Sequence, residues 1–249
     1  MTADGVYVYA IIRAGSPVPT DMGGVGRPAA PLRTIRHGRV AAVVSEAPPK
    51  LRARRRDLLA HQNLLMRLSE QGPALPMRFG MVAPDEKTVR GQLAAGEAAH
   101  MVALEHLSDG VEVNVKAFPA QNALRSLVAD DRKLLRLRDE ARRRPGYEAN
   151  LRLGEAVAVA LEGRAADAGR RLLNELTPRA RAVASGPRVQ GCVLNMSFLV
   201  GRGDSDDFRS VAEQFAETHR ERVDLRLAGP LPCYSFVSTE GAHARTAGV

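Results

Sequence analysis

The chain has 249 residues, 45% of them hydrophobic, enough to bury a core in one large domain or, more typically, in two of about 100–150 residues. A formal net charge of +8 points to an acidic or anionic partner, and the composition is not that of a disordered chain. Two cysteines, Cys192 and Cys233, are too few for a zinc site or a disulfide framework, and 4% aromatics without tryptophan leave little for a base-stacking platform.

The opening "MTADGVYVYAII" has no basic leader, and no window reaches the roughly 18 apolar residues of a membrane span. A cytosolic protein with reduced thiols and no membrane partner is expected. Val6 to Ile12 is β-branched and aromatic, a strand covered on both faces. A Gly/Pro loop follows from Gly15 to Pro31, and then "LRTIRH" and "VAAVVSE" form a hairpin around Gly38-Arg39. A helix is predicted from Arg55 to Gln71 with Leu58, His61, Leu65 and Leu68 on one side. Leu75 to Val82 is extended, Asp85 opens a second helix to His106, and "VEVNVKAF" returns as a strand. These are the elements of a ferredoxin-like layer.

Pro119 marks a boundary. The chain is then helical and strongly charged from Leu124 to Leu176, broken at Pro145-Gly146, with Leu153, Val157, Leu161, Ala165, Ala168, Leu172 and Leu176 forming one buried stripe. The strand "VQGCVLNMSFLV", a helix with Phe208, Val211 and Phe215 inward, and "VDLRLAG" make a βαβ passage. The expected class is therefore α+β with two domains. Residues 1–118 form an N-terminal ferredoxin-like domain, and 119–249 a C-terminal domain with a ferredoxin-like half and added long helices.

Three short motifs reduce to structure. "GVGRPA", Gly24 to Ala29, matches a dinucleotide fingerprint as a string, but prolines follow where a helix N-terminus is needed, so it reads as a flexible loop. "EAAH", Glu97 to His100, has the spacing of a di-iron ligand pair, which requires two copies and two further glutamates. In "GDSDD", Asp204 or Ser205 reads as a helix cap, with Asp206 and Asp207 favoured by the dipole of the first turn. No nucleophile elbow or His/Asp arrangement is visible, and His61 reads as a hydrogen-bonded structural histidine. No cofactor, metal or catalytic residue is expected, and the protein is read as not an enzyme.

Between Arg132 and Arg188 there are 14 basic and 7 acidic residues, most of them read as a solvated, ion-paired helix surface. The alternative, a basic nucleic-acid-binding module on a ferredoxin-like scaffold, lacks the aromatic strand motif that such a sheet uses, so nucleic acid is not expected as a partner.

Two apolar passages remain. In "LPMRFG", Leu75 to Gly80, Pro76 favours extension at Leu75 and Gly80 permits a bend. Arg78 lies between Met77 and Phe79 and reads as one half of an internal pair or as a recognition group, because an unpaired buried guanidinium is too costly. In "AGPLPCYSFV", Pro230 and Pro232 place the segment from Gly229 at an edge, before a short strand "CYSFV".

Together, in this order and about 150 residues apart, the two passages resemble the L-P-L-R-F-G and G-P-W-P-P-Y-S-F-V motifs of the gas vesicle protein GvpL/GvpF family. Met77, Leu231 and Cys233 depart from the pattern, and the residue at 231 loses the family's tryptophan. The matching residues include Leu75, Pro76, Arg78, Phe79 and Gly80 in the first motif and Gly229, Pro230, Pro232, Tyr234 and Phe236 in the second. The resemblance implies a non-enzymatic accessory protein of two α+β domains. Its expected partners are the small hydrophobic gas vesicle shell protein and other accessory proteins, and its expected location is the gas vesicle and the cytoplasm. The motif residues then serve either as partner contacts or as core.

Overall fold

A computed structural model describes residues 5–49, 51–120 and 124–237. The described chain divides into two compact units, one formed by the residues up to Glu112 together with those from Pro230, the other by Val113–Gly229.

The first unit begins with strand β1 (Val6–Arg13) and the hairpin of β2 (Arg33–His37) and β3 (Val40–Glu46). Helix α1 (Arg55–Gln71), the short strands β4 (Ala74–Pro76) and β5 (Val82–Ala83), and helix α2 (Glu86–His106) follow. The sheet order is β2-β3-β1-β4, with β5 also on β1, and the pairings are antiparallel. Successive strand residues face opposite ways, yet β1 and β3 are buried along almost their whole length, so both faces must be covered. Ala41 and Val43 of β3 share a core with Tyr7, Tyr9, Leu64, Leu65 and Leu68 on the α1 side. The buried Val40, Ala42 and Val44 point the other way, where α2 packs on β2 and β3 with Val89 and Leu93 buried.

The second unit is built on β6 (Gly110–Pro119), the helices α3 (Leu124–Asp130), α4 (Arg132–Arg143) and α5 (Tyr147–Leu176), then β7 (Ala182–Ser185), β8 (Leu194–Gly201), α6 (Ser205–Thr218) and β9 (Val223–Leu231). Its sheet order, β7-β8-β6-β9, is the βαββαβ ferredoxin-like order, with β6 as first strand and β9 as last. The inner face, with Val113, Val115, Phe198 and Val200, packs against Ala165, Ala168 and Leu172 of α5 and Phe208 and Phe215 of α6.

The chain is α+β as the sequence predicts, but several details differ. The strand "VEVNVKAF", expected to finish the first domain, opens the second sheet instead. The division falls near Glu112 rather than at residue 118, and the segment from Pro230 returns to the first unit. The first sheet has its β2–β3 hairpin ahead of both helices, so the ferredoxin-like alternation is complete only in the second sheet. On α1, Leu58 is exposed while Asp57 and Leu64 join His61, Leu65 and Leu68 inside, because the buried arc is centred between the two sets of positions. On α5 the fully buried stripe starts at Ala165. Leu153, Val157 and Leu161 are half-buried, in the part of the helix that packs with α3 and α4 instead of the sheet.

Candidate functional site

The first sequence motif straddles a break in an edge strand. Leu75 and Pro76 lie in β4 opposite Ile11 and Ala10, both buried. The strand then stops. The Met77 N–H donates to the Tyr9 carbonyl (2.8 Å) and the Val8 N–H to the Met81 carbonyl (2.9 Å), and in its pairing with β3 on the other side β1 shifts register between Val8 and Ala10. The intervening Arg78, Phe79 and Gly80 loop out, and pairing resumes at Val82 opposite Tyr7. The Met81 N–H donates to the Arg78 carbonyl (3.2 Å), closing a β-turn with Gly80 at its third position. There φ is +88°, the left-handed value that a type II turn requires and glycine supplies without strain.

Side chains from β1 and α1 fix this turn. The Gly80 N–H donates to the Tyr7 hydroxyl (3.0 Å), which lies 3.0 Å from His61 Nδ1, and His61 Nε2 lies 3.0 Å from the Met77 carbonyl. A carbonyl only accepts, so Nε2 carries the imidazole proton, Nδ1 accepts, and the Tyr7 hydroxyl donates to it. The result is one directional chain from Gly80 through Tyr7 and His61 to Met77, tied at both ends to the backbone of the motif. Phe79 packs edge-on against both rings, at centroid distances of 6.1 Å from Tyr7 and 5.7 Å from His61. Burial pushes the Tyr7 phenol above its usual range, with the nearby Tyr9 and Tyr234 hydroxyls adding to the shift. Burial also lowers the His61 pKa, keeping the ring neutral as this direction of bonding requires.

Acid is therefore expected to act through His61. Its folded pKa lies below the unfolded value of 6.5, so the stability that depends on the neutral ring is fully present above pH 6.5. It is lost as pH falls from there through the folded value. Urea unfolding of the parent and of His61→Gln at several pH values below 6.5 checks this; equal pH slopes for the two proteins would refute it.

Arg78 is exposed at the tip of the turn, and among the described residues it has no ion pair. The internal pair considered from sequence is absent because the chain leaves the sheet at Met77 and carries the side chain outward.

The second motif adopts two conformations. Gly229 and Pro230 lie in β9, the edge strand that the two prolines imply, and Arg209 of α6 donates to the Gly229 carbonyl. The segment "CYSFV", expected as a strand, is instead a 3-10 turn over Tyr234–Phe236. Its backbone donors are used locally, Tyr234 N–H to the Pro232 carbonyl (2.7 Å) and Phe236 N–H to that of Cys233 (3.3 Å). The Ser235 N–H goes to Glu112 Oε2 (2.8 Å) and its hydroxyl to Glu112 Oε1 (2.7 Å). Glu112 is only 4% exposed, so Ser235 satisfies both oxygens of a buried carboxylate. Partial burial and that carboxylate push the Tyr234 phenol up to about 12.

The two motifs meet within the first unit. Pro76 with Ala74 and Leu65 on one side, and Pro232 with Cys233 on the other, line a crevice of about 10 Å³, roughly the space of one water. Cys192 and Cys233 are free thiols. Replacing Glu112 with alanine is expected to lower stability by about 1–3 kcal/mol, since both Ser235 donors lose a charged acceptor. A urea midpoint unchanged from the parent would show that water replaces the carboxylate at no cost.

The other sequence motifs resolve into framework. Val25 of "GVGRPA" is 1% exposed, a core residue, so the loop read as flexible is anchored. Its N–H donates to the Tyr9 hydroxyl (2.7 Å), and the Gly26 N–H to Asp57 Oδ1 (3.3 Å). Glu97 of "EAAH" clamps the β2–β3 hairpin by accepting the Arg39 N–H (2.9 Å), and that bond holds its carboxyl below the usual range. Asp204 occupies the cap position of α6 but makes no side-chain cap bond, while Asp206 and Asp207 lie in the first turn as expected. Among the described residues no group of three His, Cys, Asp or Glu is placed to hold a metal ion, and no helix is long and apolar enough to cross a membrane.

Sequence reasoning missed Glu112, Tyr7 and Ser235, which hold the motifs in place. The available signal was a lone carboxylate in a strand of alternating valines, and a tyrosine in a strand covered on both sides.

The chain is thus an α+β protein of two units whose recognisable motifs converge on one braced surface. The family model "Gas vesicle synthesis protein GvpL/GvpF" matches residues 5–238, and the chain belongs to that family. It is 41% identical over 235 residues to "Gas vesicle protein F" of Streptomyces sp. (strain CB03234), covering 93% of this chain and 98% of that one. Against "Gas vesicle protein L" of the same strain it is 30% identical over 265 residues, covering 95% of each chain. The crystal structure of GvpF from Anabaena sp. PCC7120 superimposes with a TM-score of 0.75 at 24% identity, over 94% of this chain and 98% of that one, a likeness of fold.

Proposed function

We propose that this protein is a non-enzymatic gas vesicle assembly factor that contacts the small apolar shell protein, and other accessory proteins, through the surface where its two motifs meet. The observation that carries this is the turn at Arg78. An exposed guanidinium with no ion pair among the described residues stands on a backbone held by Tyr7 and His61, beside half-buried Phe79 and exposed Val82. Tyr234, 38% exposed, adds a partly exposed aromatic from the second motif. A fixed display of one cation among apolar side chains suits a partner that is mainly apolar and carries a carboxylate. The shell subunit needs shielding before assembly, and the vesicle is where this reading places the protein.

The test is nuclease-treated co-purification with the shell protein at low and high salt, using the parent and Arg78→Ala. The variant is expected to keep its melting temperature within about 2 °C, an exposed unpaired side chain having little folded-state role, and to lose the shell protein. A variant that retains the shell protein as the parent does would overturn the reading. Capture that nuclease abolishes would favour the basic nucleic-acid module instead.

A further inference from the structure

The segment leading into α1, "LRARRRDLLA" from Leu51 to Ala60, concentrates positive charge where a helix gains nothing from it. Arg54 stands at the cap position without a side-chain cap bond, and Arg55 and Arg56 open the first turn. The dipole of a helix favours anions at this end and disfavours cations, and the preferred caps are serine, threonine, aspartate and asparagine. Helix stability therefore gives no reason for the run. Its one acid, Asp57, turns inward: it is 6% exposed, accepts from the Gly26 N–H (3.3 Å) and pairs with Arg56 (3.4 Å).

The run is held in place. Leu51 packs against the core of the first unit, the Arg54 N–H donates to the Arg52 carbonyl (2.7 Å), and the Asp57 N–H donates to the Arg54 carbonyl (2.9 Å). The bond from Gly26 to Asp57 brings the adjacent Arg27 to the same place. Arg27, Arg52, Arg54 and Arg55 are exposed, and among the described residues none of them has an ion pair. Asp21 and Glu46 are the next acids back along the two segments, and with Asp57 they set three carboxylates against five arginines. One helical turn beyond Arg54 and Arg55 the same surface becomes apolar, with Leu58 41% and Leu59 46% exposed.

We propose that the entrance of α1 docks an acidic segment of a partner protein, its carboxylates on Arg52, Arg54, Arg55 and Arg27 and its apolar side chains on Leu58 and Leu59. The planar guanidinium fork matches a carboxylate with two parallel hydrogen bonds. The unpaired cations set the sign of the partner and steer the encounter, while the two leucines supply the contact that outlasts added salt. Those leucines separate a protein partner from nucleic acid, whose phosphates would engage the arginines and leave the leucines in water. The inference is independent of the contact at Arg78, and its test contains no shell protein.

The probe is a fluorescent synthetic peptide of glutamates and leucines, read by anisotropy against the full chain beside two counterparts, one with lysine for glutamate and one with alanine for leucine. The glutamate–leucine peptide is expected to bind, the lysine peptide at least about 10-fold more weakly and the alanine peptide about 3-fold or more. Arg54→Asp with Arg55→Glu is expected to weaken binding by about 10-fold or more while raising the urea midpoint, because it supplies a cap and an acid in the first turn. Arg142→Glu with Arg143→Glu, at exposed positions of α4, makes the same change in net charge and is expected to bind within about 3-fold of the parent. The proposal fails if the glutamate–leucine peptide does not bind, if either counterpart binds as tightly, or if the α1 variant binds like the parent. It fails equally if the α4 variant loses as much as the α1 variant, which would reduce the effect to net charge. A duplex oligonucleotide of equal charge that binds more tightly than the peptide would assign the arginines to nucleic acid. Self-association of the parent that the α1 variant abolishes would assign them to a second copy.

Discussion

His61→Leu is expected to lower the unfolding free energy by about 2–4 kcal/mol, although leucine is a good helix former of similar bulk at a buried helix position. The loss comes from the two groups left behind. The Tyr7 hydroxyl, whose ring is wholly buried, loses its acceptor, and the Met77 carbonyl loses its donor. Each unsatisfied buried group costs about 1–3 kcal/mol. Tyr7→Phe breaks the same chain one step earlier, stranding the Gly80 N–H and His61 Nδ1. Because both variants interrupt one network, the double variant is expected to lose clearly less than the sum of the singles. Urea unfolding of the four proteins measures the cycle. Strict additivity would mean that the chain of hydrogen bonds is not a unit.

Gly24→Ala is expected to cost about 2–4 kcal/mol, an unusual penalty for so small a change in a surface-connected loop. A Cβ at this position would overlap the Tyr9 hydroxyl and lie 3.0 Å from Ser45 Oγ and 3.2 Å from the Ala30 carbonyl oxygen. The hydroxyl has nowhere to go. It accepts from the Val25 N–H and donates to Ser45 Oγ (2.9 Å), which in turn donates to the Glu46 carbonyl (3.0 Å). Gly91→Ala is the control: in mid-α2, with nothing within 4 Å of the added Cβ, it is expected to stabilise by about 0.5–1 kcal/mol. Thermal or urea unfolding of both variants decides the matter, and a Gly24→Ala protein as stable as the parent would show that the loop adjusts freely.

These sites also show how far the sequence could be read. Where a periodic pattern spans a whole element, as in β1, α1 and the hairpin at Gly38-Arg39, reading and structure agree on the type and bounds of the element. The errors arise where long-range partners decide. "GVGRPA" has the composition of a loose loop, and nothing local reveals that Tyr9 and Asp57 pin it. "CYSFV" has strand propensity, yet Glu112 takes the Ser235 N–H that a ladder would need. "LPMRFG" reads as one extended run, whereas the chain leaves β1 after Met77 and turns at Gly80, held by the Tyr7 hydroxyl and His61 from distant elements. β6 alternates as a strand should, but alternation does not say which sheet a strand joins. The motif residues were visible as a resemblance. His61 was legible as a hydrogen-bonded structural histidine, but Tyr7, Glu112 and Ser235, which brace the motifs with it, were hidden because their partners lie far away in sequence.

The bond between Glu112 and Ser235 spans 123 positions of the chain, and it sets an order of events during synthesis. The entire ferredoxin-like unit, Val113–Gly229, is translated after Glu112 and before Ser235, whose N–H and hydroxyl satisfy its carboxylate. A nascent chain can complete the sheet of the first unit early, but that acid must stay hydrated, or be buried at a cost, until the last motif emerges. Completion of the first unit is thus a late step, coupled to the arrival of Tyr234 and Ser235. The surface formed by the two motifs comes into being only once translation has passed both of them, so a ribosome-bound intermediate lacks it.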